Sequence, residues 1–236
     1  MTQPVESRLA GLDWTALAAE LDAQGSAVIP ALLTPAECEA LAAAYDGEGF
    51  RKQVIMQRHG YGQGEYRYFA YPLPPLVQAL RTGLYPPLAK VANAWNAALG
   101  LPARYPAAHA DYLARCHAAG QARPTPLVLR YGPGDYNRLH QDLYGQEVFP
   151  LQVAVLLSQP GRDFTGGEFV LTEQRARMQS RPEVAPLSQG DALVFAVAAR
   201  PIAGPRGPAR AIMRHGVSRI RSGHRHTLGV IFHDAA

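Results

Sequence analysis

Lysine is almost missing from this chain: of 23 basic residues only Lys52 and Lys90 are lysine, and the other 21 are arginine. Cysteine is as scarce, with Cys38 and Cys116 standing 78 positions apart and at no metal-ligand spacing. This excludes a disulfide scaffold and a cysteine-held metal, and it predicts a reducing, cytoplasmic setting. Long apolar runs are absent too. The longest, Leu151–Leu157, falls far short of the ~20 residues of a spanning helix, so no membrane association is expected. The start, Met1-Thr-Gln-Pro-Val-Glu6, lacks the basic and then apolar pattern of a signal peptide. Acid is missing in one place: between Asp191 and Asp234 there is none, while Arg200, Arg206, Arg210, Arg214, Arg219, Arg221 and Arg225 all fall there. The net charge of +4 is therefore divided unequally. Residues 1–120 hold 9 basic and 10 acidic side chains, residues 121–236 hold 14 and 9. Arginine bias alone can reflect GC-rich coding sequence, but this distribution points to an anionic partner for the C-terminal half.

What is present is the composition of a globular domain: 236 residues, 47% hydrophobic and 18% charged, too apolar for disorder. The first third reads as helical. Leu9, Leu12, Leu17 and Leu21 recur at roughly helical spacing before Gly25, Ala27-Val-Ile29 is a short strand, and Thr34-Pro-Ala-Glu37 is a capping box opening a helix to about Tyr45. Residues 47–71 lack clear periodicity and interleave glycines with basic and aromatic residues. Helices are expected over Pro74–Leu99, with Pro86-Pro87 as a possible interruption, and over Pro106–Ala119. After Pro124 the pattern becomes short apolar runs: Leu127–Tyr131, Leu151–Leu157, Glu168–Thr172, Ala192–Phe195 and Thr227–Phe232. Arg200–Ala209, rich in proline and glycine, reads as a loop. Helices followed by many short strands predict an α+β fold, a jelly-roll core under an N-terminal helical layer. Residues 1–123 form the helical layer, with a candidate substrate lid at about 47–71. Residues 124–236 form the core, and both belong to one composite domain.

Eight histidines are available to hold a metal. His-x-Asp occurs twice, as His109-Ala-Asp111 and His140-Gln-Asp142. On a helix, positions i and i+2 lie about 200° apart, so His109 and Asp111 are read as solvated helix surface. On extended chain the same spacing shares a face, so His140 and Asp142 can reach one ion. His224 and His226 flank Arg225, so they turn away if Arg225 faces a cavity. His215, after the Pro/Gly loop, is the best third ligand. Two histidines and a carboxylate with open positions make the facial triad of non-haem Fe(II) oxygenases. Another divalent metal, or histidines that are merely polar at strand ends, would also fit this spacing.

Five positions in order sharpen the choice. His140-Gln-Asp142 is followed after 73 residues by His215, after ten more by Arg225, and two later by Thr227; Tyr131 stands nine before His140. With Gly166-Gly-Glu-Phe169 and Gly190-Asp-Ala-Leu-Val-Phe195 between the ligands, the chain from Leu127 onward resembles the 2-oxoglutarate- and Fe(II)-dependent dioxygenases, with spacing like that of the prolyl-hydroxylase-like branch. The resemblance implies a double-stranded β-helix core, Fe(II) on His140, Asp142 and His215, and 2-oxoglutarate and O2 as co-substrates. It implies that Arg225 pairs with the distal carboxylate of 2-oxoglutarate, helped by Thr227 and Tyr131. The reaction implied is hydroxylation of a C–H bond with release of succinate and CO2.

The run Arg130 to Gly145 resembles a bacterial branch proposed to act on damaged nucleic acid, with DNA favoured. Independent support comes from arginines that could meet phosphates and from the basic, aromatic segment 47–71, which could stack on an unstacked base. Candidate substrate contacts are Arg51, Tyr66, Arg67, Tyr68, Arg138, Tyr144, Arg210 and Arg214. Solvated arginines and core tyrosines would look the same in sequence. Hydroxylation of protein side chains or small molecules, which Tyr131 favours, and nucleic-acid binding with weak turnover stay open. The oligomeric state is not legible.

Overall fold

The computed structural model describes residues 3–102, 105–204 and 207–236; Arg206, one of the arginines counted above, lies outside the described residues. The helices are α1 (Val5–Ala10), α2 (Trp14–Gln24), α3 (Pro35–Ala43), α4 (Pro75–Ala98) and α5 (His109–Ala118). The strands are β1 (Ser26–Ile29), β2 (Phe50–Ile55), β3 (Gly62–Gln63), β4 (Glu65–Phe69), β5 (Leu127–Tyr131), β6 (Tyr136–His140), β7 (Leu151–Leu156), β8 (Phe164–Gly166), β9 (Phe169–Gln174), β10 (Arg181–Ala185), β11 (Ala192–Ala196), β12 (Ala199–Gly204), β13 (Gly207–Val217), β14 (Ile220–Gly223) and β15 (Arg225–Val230). Among the described residues no helix is long and apolar enough to cross a membrane.

Two antiparallel sheets face each other as a jelly roll. The larger runs β1-β11-β7-β15-β5-β4-β2; the smaller runs β10-β9-β13-β6-β3, with β12 paired to β13. Strand β7 explains the longest apolar run: every residue of it is buried. Leu151, Val153 and Val155 pack into the cluster that holds Val77, Leu80, Leu84 and Leu88 of α4, while Gln152 and Ala154 face the other sheet. A strand covered on both faces has no reason to alternate in polarity.

Helix α3 opens at the expected capping box, Thr34 Oγ1 accepting from Glu37 N and Glu37 accepting from Thr34 N at 2.8 Å. Helix α4 runs unbroken through Pro86 and Pro87. The two prolines are only half-buried, and an apolar face from Val77 to Trp95 is buried along the length. At about 1.5–3 kcal/mol for each fully buried large side chain, that face outweighs the ~3 kcal/mol cost of each of the two interior prolines.

Two expectations from the sequence change. Residues 200–209 are not a loop: their described residues belong to β12 and β13, which pair from Ala199↔Ile212 to Gly204↔Gly207. Strand β12 pairs only with β13, and an edge strand tolerates Pro201 because a missing N–H costs nothing on the unpaired side. Residues 47–71 are not aperiodic either. They contribute β2 and β4 to the edge of the larger sheet and β3 to the smaller. Their periodicity is hidden because β4 is half-buried at Glu65, Tyr66, Arg67 and Tyr68 alike. Gly62, at φ +140°, sits so close to the Tyr136 carbonyl that a side chain would collide with it.

Candidate active site

The inner faces of the two sheets enclose a cavity with about 820 Å³ of empty space, mouth included. Cross-strand register decides what lines it. Tyr66 pairs with Leu129, Tyr68 with Leu127 and Arg225 with Tyr131; Leu129 pairs in turn with Thr227, and Gln152 with Phe195. These residues share one face of the larger sheet, and all of them line the cavity. The smaller sheet supplies Asn137, His140, Phe169, His215 and Val217.

His140 and His215 are directly opposite each other on β6 and β13, with ring centroids 4.2 Å apart. Asp142 follows just beyond the end of β6. Its two oxygens stand 3.4 Å from His140 Nε2 and 3.4 Å from His215 Nε2. The potential ligand atoms of these three residues all lie within 4.8 Å of one another, close enough for one ion to touch all three. Backbone and packing orient the rings. His140 Nδ1 lies 2.7 Å from the Arg138 carbonyl, which favours the proton on Nδ1 and leaves Nε2 free as a ligand. Phe169 stacks parallel to His215 at 5.9 Å, and Phe195 tilts over it at 4.6 Å. Burial opposes charge on Asp142, but hydrogen bonds and charge from both imidazoles outweigh it and hold the carboxyl well below its usual range. Burial likewise lowers the pKa of His215. An anionic carboxylate between two imidazoles is a donor set suited to Fe(II).

At the other end of the cavity Arg225 is buried and forms no ion pair among the described residues. One guanidinium nitrogen donates to Thr227 Oγ1 at 2.5 Å, Nε has no partner, and the Tyr131 and Phe164 rings lie 5.8 and 5.9 Å away. Burial pulls its pKa down to about 10, the mark of a cation short of a counter-charge. A dicarboxylate with one end at the triad would bring the missing carboxylate.

The remaining sequence candidates divide by strand alternation. Tyr66, Tyr68 and Tyr144 line the cavity. Arg51 lies 4.6 Å over the Tyr68 ring, its Nε donating to the Pro124 carbonyl at 2.8 Å. Arg67, between the two β4 tyrosines, points the other way and donates to the Tyr45 carbonyl at 2.8 Å, so it is turned from the cavity. Arg138 is exposed beside the triad. Arg210 and Arg214 are exposed on the face of β13 opposite His215, with Arg210 about 16 Å along the strand from it. Arg200 is not free for a phosphate: it is buried against Glu173 and donates to the Asp22 and Ala23 carbonyls. His109, read as solvated, is buried, with Nε2 2.8 Å from the Phe232 carbonyl; with Tyr112 and Cys116 it forms the inner face of α5. Asp111 is exposed. His224 is exposed and His226 packs its ring on Tyr45, both away from the cavity. Tyr61 belongs to the aromatic segment 47–71 that the sequence offered without naming it as a contact, and sequence reasoning missed Asn137 and Gln152. Gln152 had left a signal, a lone amide inside an apolar run; it is buried with Nε2 unpartnered.

The jelly roll, the triad and the orphaned arginine together define a 2-oxoglutarate- and Fe(II)-dependent oxygenase. A 2OG-Fe(II) oxygenase-family oxidoreductase from Burkholderia pseudomallei matches with a TM-score of 0.56 at 18% identity, over 96% of this chain and 94% of that one. A Pseudomonas putida prolyl-4-hydroxylase matches with a TM-score of 0.54 at 15% identity, over 94% and 99%. These likenesses are of fold. Residues 64–235 match the model of the Oxygenase-NA family, described as an oxygenase catalysing oxidative methylation of damaged DNA, and the chain belongs to that family. An uncharacterized protein of Mycobacterium tuberculosis (strain ATCC 25618 / H37Rv) is 52% identical over 168 residues, 71% of this chain and 72% of that protein.

Proposed function

We propose that this protein hydroxylates a methyl or similar C–H group on a damaged base of nucleic acid, DNA above all, releasing succinate and CO2. The observation that carries the reading is a cavity that joins the triad to four tyrosines, Tyr61, Tyr66, Tyr68 and Tyr144. Aromatic faces stack on any base, and a base must leave the helix to reach so enclosed a centre. The family description names damaged DNA as the substrate, which supports the same reading. An oxygenase centre removes hydrogen from a methyl group and does not install one, so the methyl group belongs to the base being oxidised.

His140, Asp142 and His215 would hold Fe(II), which supplies O2 activation coupled to decarboxylation of 2-oxoglutarate. Arg225, with Thr227 beside it, would clamp the distal carboxylate, and Tyr131 would wall that end. Gln152 offers its unpartnered amide to a polar group within the cavity. One oxygen atom of O2 ends in succinate and the other in the new hydroxyl. Two of the four electrons come from 2-oxoglutarate and two from the C–H bond. A hydroxymethyl group on nitrogen then leaves as formaldehyde, restoring the N–H. Tyr66 and Tyr68 would flank the base, with Arg51 bracing Tyr68 from behind. Arg138 would meet backbone phosphate near the mouth, with Arg210 and Arg214 as more distant contacts on the outer face of β13.

Succinate formation tests this. Methylated oligonucleotides should stimulate it, peptides should not, and oligonucleotide affinity should fall as salt rises. Stimulation by peptides alone would favour a protein hydroxylase, and oligonucleotide binding without stimulation would favour a binding protein.

A further inference from the structure

Seven large hydrophobic side chains are prominently exposed among the described residues, and four of them belong to the two segments at the cavity mouth: Tyr61 (39%), Leu139 (47%), Leu143 (52%) and Tyr144 (47%). Leu139 precedes His140, and Leu143 follows Asp142, so the metal-ligating segment itself bears the exposed apolar groups. The two segments are joined. The Arg138 N–H donates to the Tyr61 carbonyl at 2.9 Å, and Tyr61 and Tyr144 both line the cavity. The turn that presents Leu143 is braced. Gln141 Nε2 donates to the Ala198 and Met213 carbonyls at 3.0 and 2.8 Å, and the Leu143 N–H donates to the Gln141 carbonyl at 3.2 Å. Leu143 thus stands in water on a fixed base beside the site.

Charge indicates what covers this rim. Between Glu48 and Glu65 there is no acid, while Arg51, Lys52 and Arg58 occur there. Between Asp135 and Glu147 the one acid is Asp142, and Arg138 stands beside it. Lys52, Arg58 and Arg138 are exposed. Exposed apolar side chains on segments that also carry exposed cations and line a tyrosine-rich cavity suit a polyanion with stacked planar groups. We propose that Leu143 is a wedge that enters the base stack of a duplex and fills the gap left by the nucleotide turned into the cavity. Apolar wedges of this kind stabilise an unstacked step by replacing the lost contact. The inference rests on the nucleic-acid reading above.

The test compares one methylated sequence as duplex and as single strand. Leu143→Ser should lower turnover on the duplex by about tenfold or more while turnover on the single strand stays within about twofold, because only the duplex has a stack to open. Leu143→Met should keep duplex turnover. A 2-aminopurine placed next to the methylated base should brighten on binding wild-type and Leu143→Met protein but not Leu143→Ser. Equal loss on both strand forms, no loss on the duplex, or a loss confined to peptide-stimulated turnover would overturn the wedge. If the wild-type protein turns over neither form, the nucleic-acid reading itself fails, a result distinct from the others.

Discussion

A buried guanidinium without a carboxylate is among the costliest groups a jelly roll can enclose, and Arg225 is one. Its worth should appear only when 2-oxoglutarate is bound. Arg225→Ala should raise the KM for 2-oxoglutarate by about 10- to 100-fold, the equivalent of ~1.5–3 kcal/mol for hydrogen bonds to a charged group. The melting temperature without 2-oxoglutarate should hold or rise, since an unpaired buried charge has been removed. Titration of 2-oxoglutarate and a melt of the unliganded protein check both, and a KM unchanged within error would remove Arg225 from the co-substrate site. At this scale the pairing of His140 with Asp142 was legible from strand geometry, since i and i+2 share a face of extended chain, whereas Arg225 was reached through the spacing of the family that the chain resembles. His109 was misread because helical spacing tells which residues diverge, not which of them meets the core. Arg67 was misread because its neighbours Tyr66 and Tyr68 are cavity residues, and alternation reverses the residue between them.

Strand β13 aligns the centre. It holds His215 opposite His140 through a close approach of backbones at Gly216, where an added Cβ would lie 2.7 Å from the Asn137 carbonyl. Gly216→Ala should push β6 from β13, separate the two imidazoles and weaken Fe(II) binding by about tenfold, as disturbance of a ligand's support commonly does. Metal titration of the variant checks this, and wild-type affinity would show that the approach does not position the ligands. Strands buried on both faces, such as β7, and strands with strong β formers, such as β5 and β15, announced themselves in sequence. The edge strand β2, its neighbour β4 and the proline-bearing hairpin β12–β13 did not, because β2 and β4 bury no alternating face and Pro201 and Pro208 give the hairpin the local composition of a loop.

The whole molecule should be sensitive to mild acid. Burial, with Arg81 close to His109 and His233 and with Arg130 close to His226, holds all three imidazoles down to about 4. In the unfolded chain they titrate near 6.5, so between about pH 6.5 and 4 the unfolded state binds more protons than the folded one. Stability is therefore full above that window and falls as pH falls through it. Melting of metal-free protein from pH 7.5 to 4.5 should show a steady decline of several degrees, and a flat profile would contradict the buried-neutral assignment. Function at this scale depends on coupling between the two ends of the cavity and its mouth. The most direct measurement follows a methylated DNA oligonucleotide by mass spectrometry while succinate is counted, with Fe(II), 2-oxoglutarate and O2 present. One methyl group should be lost for each succinate formed, and chelation of the metal or His215→Ala should abolish both. Succinate formed at the same rate with and without the oligonucleotide, and no change in oligonucleotide mass, would contradict it.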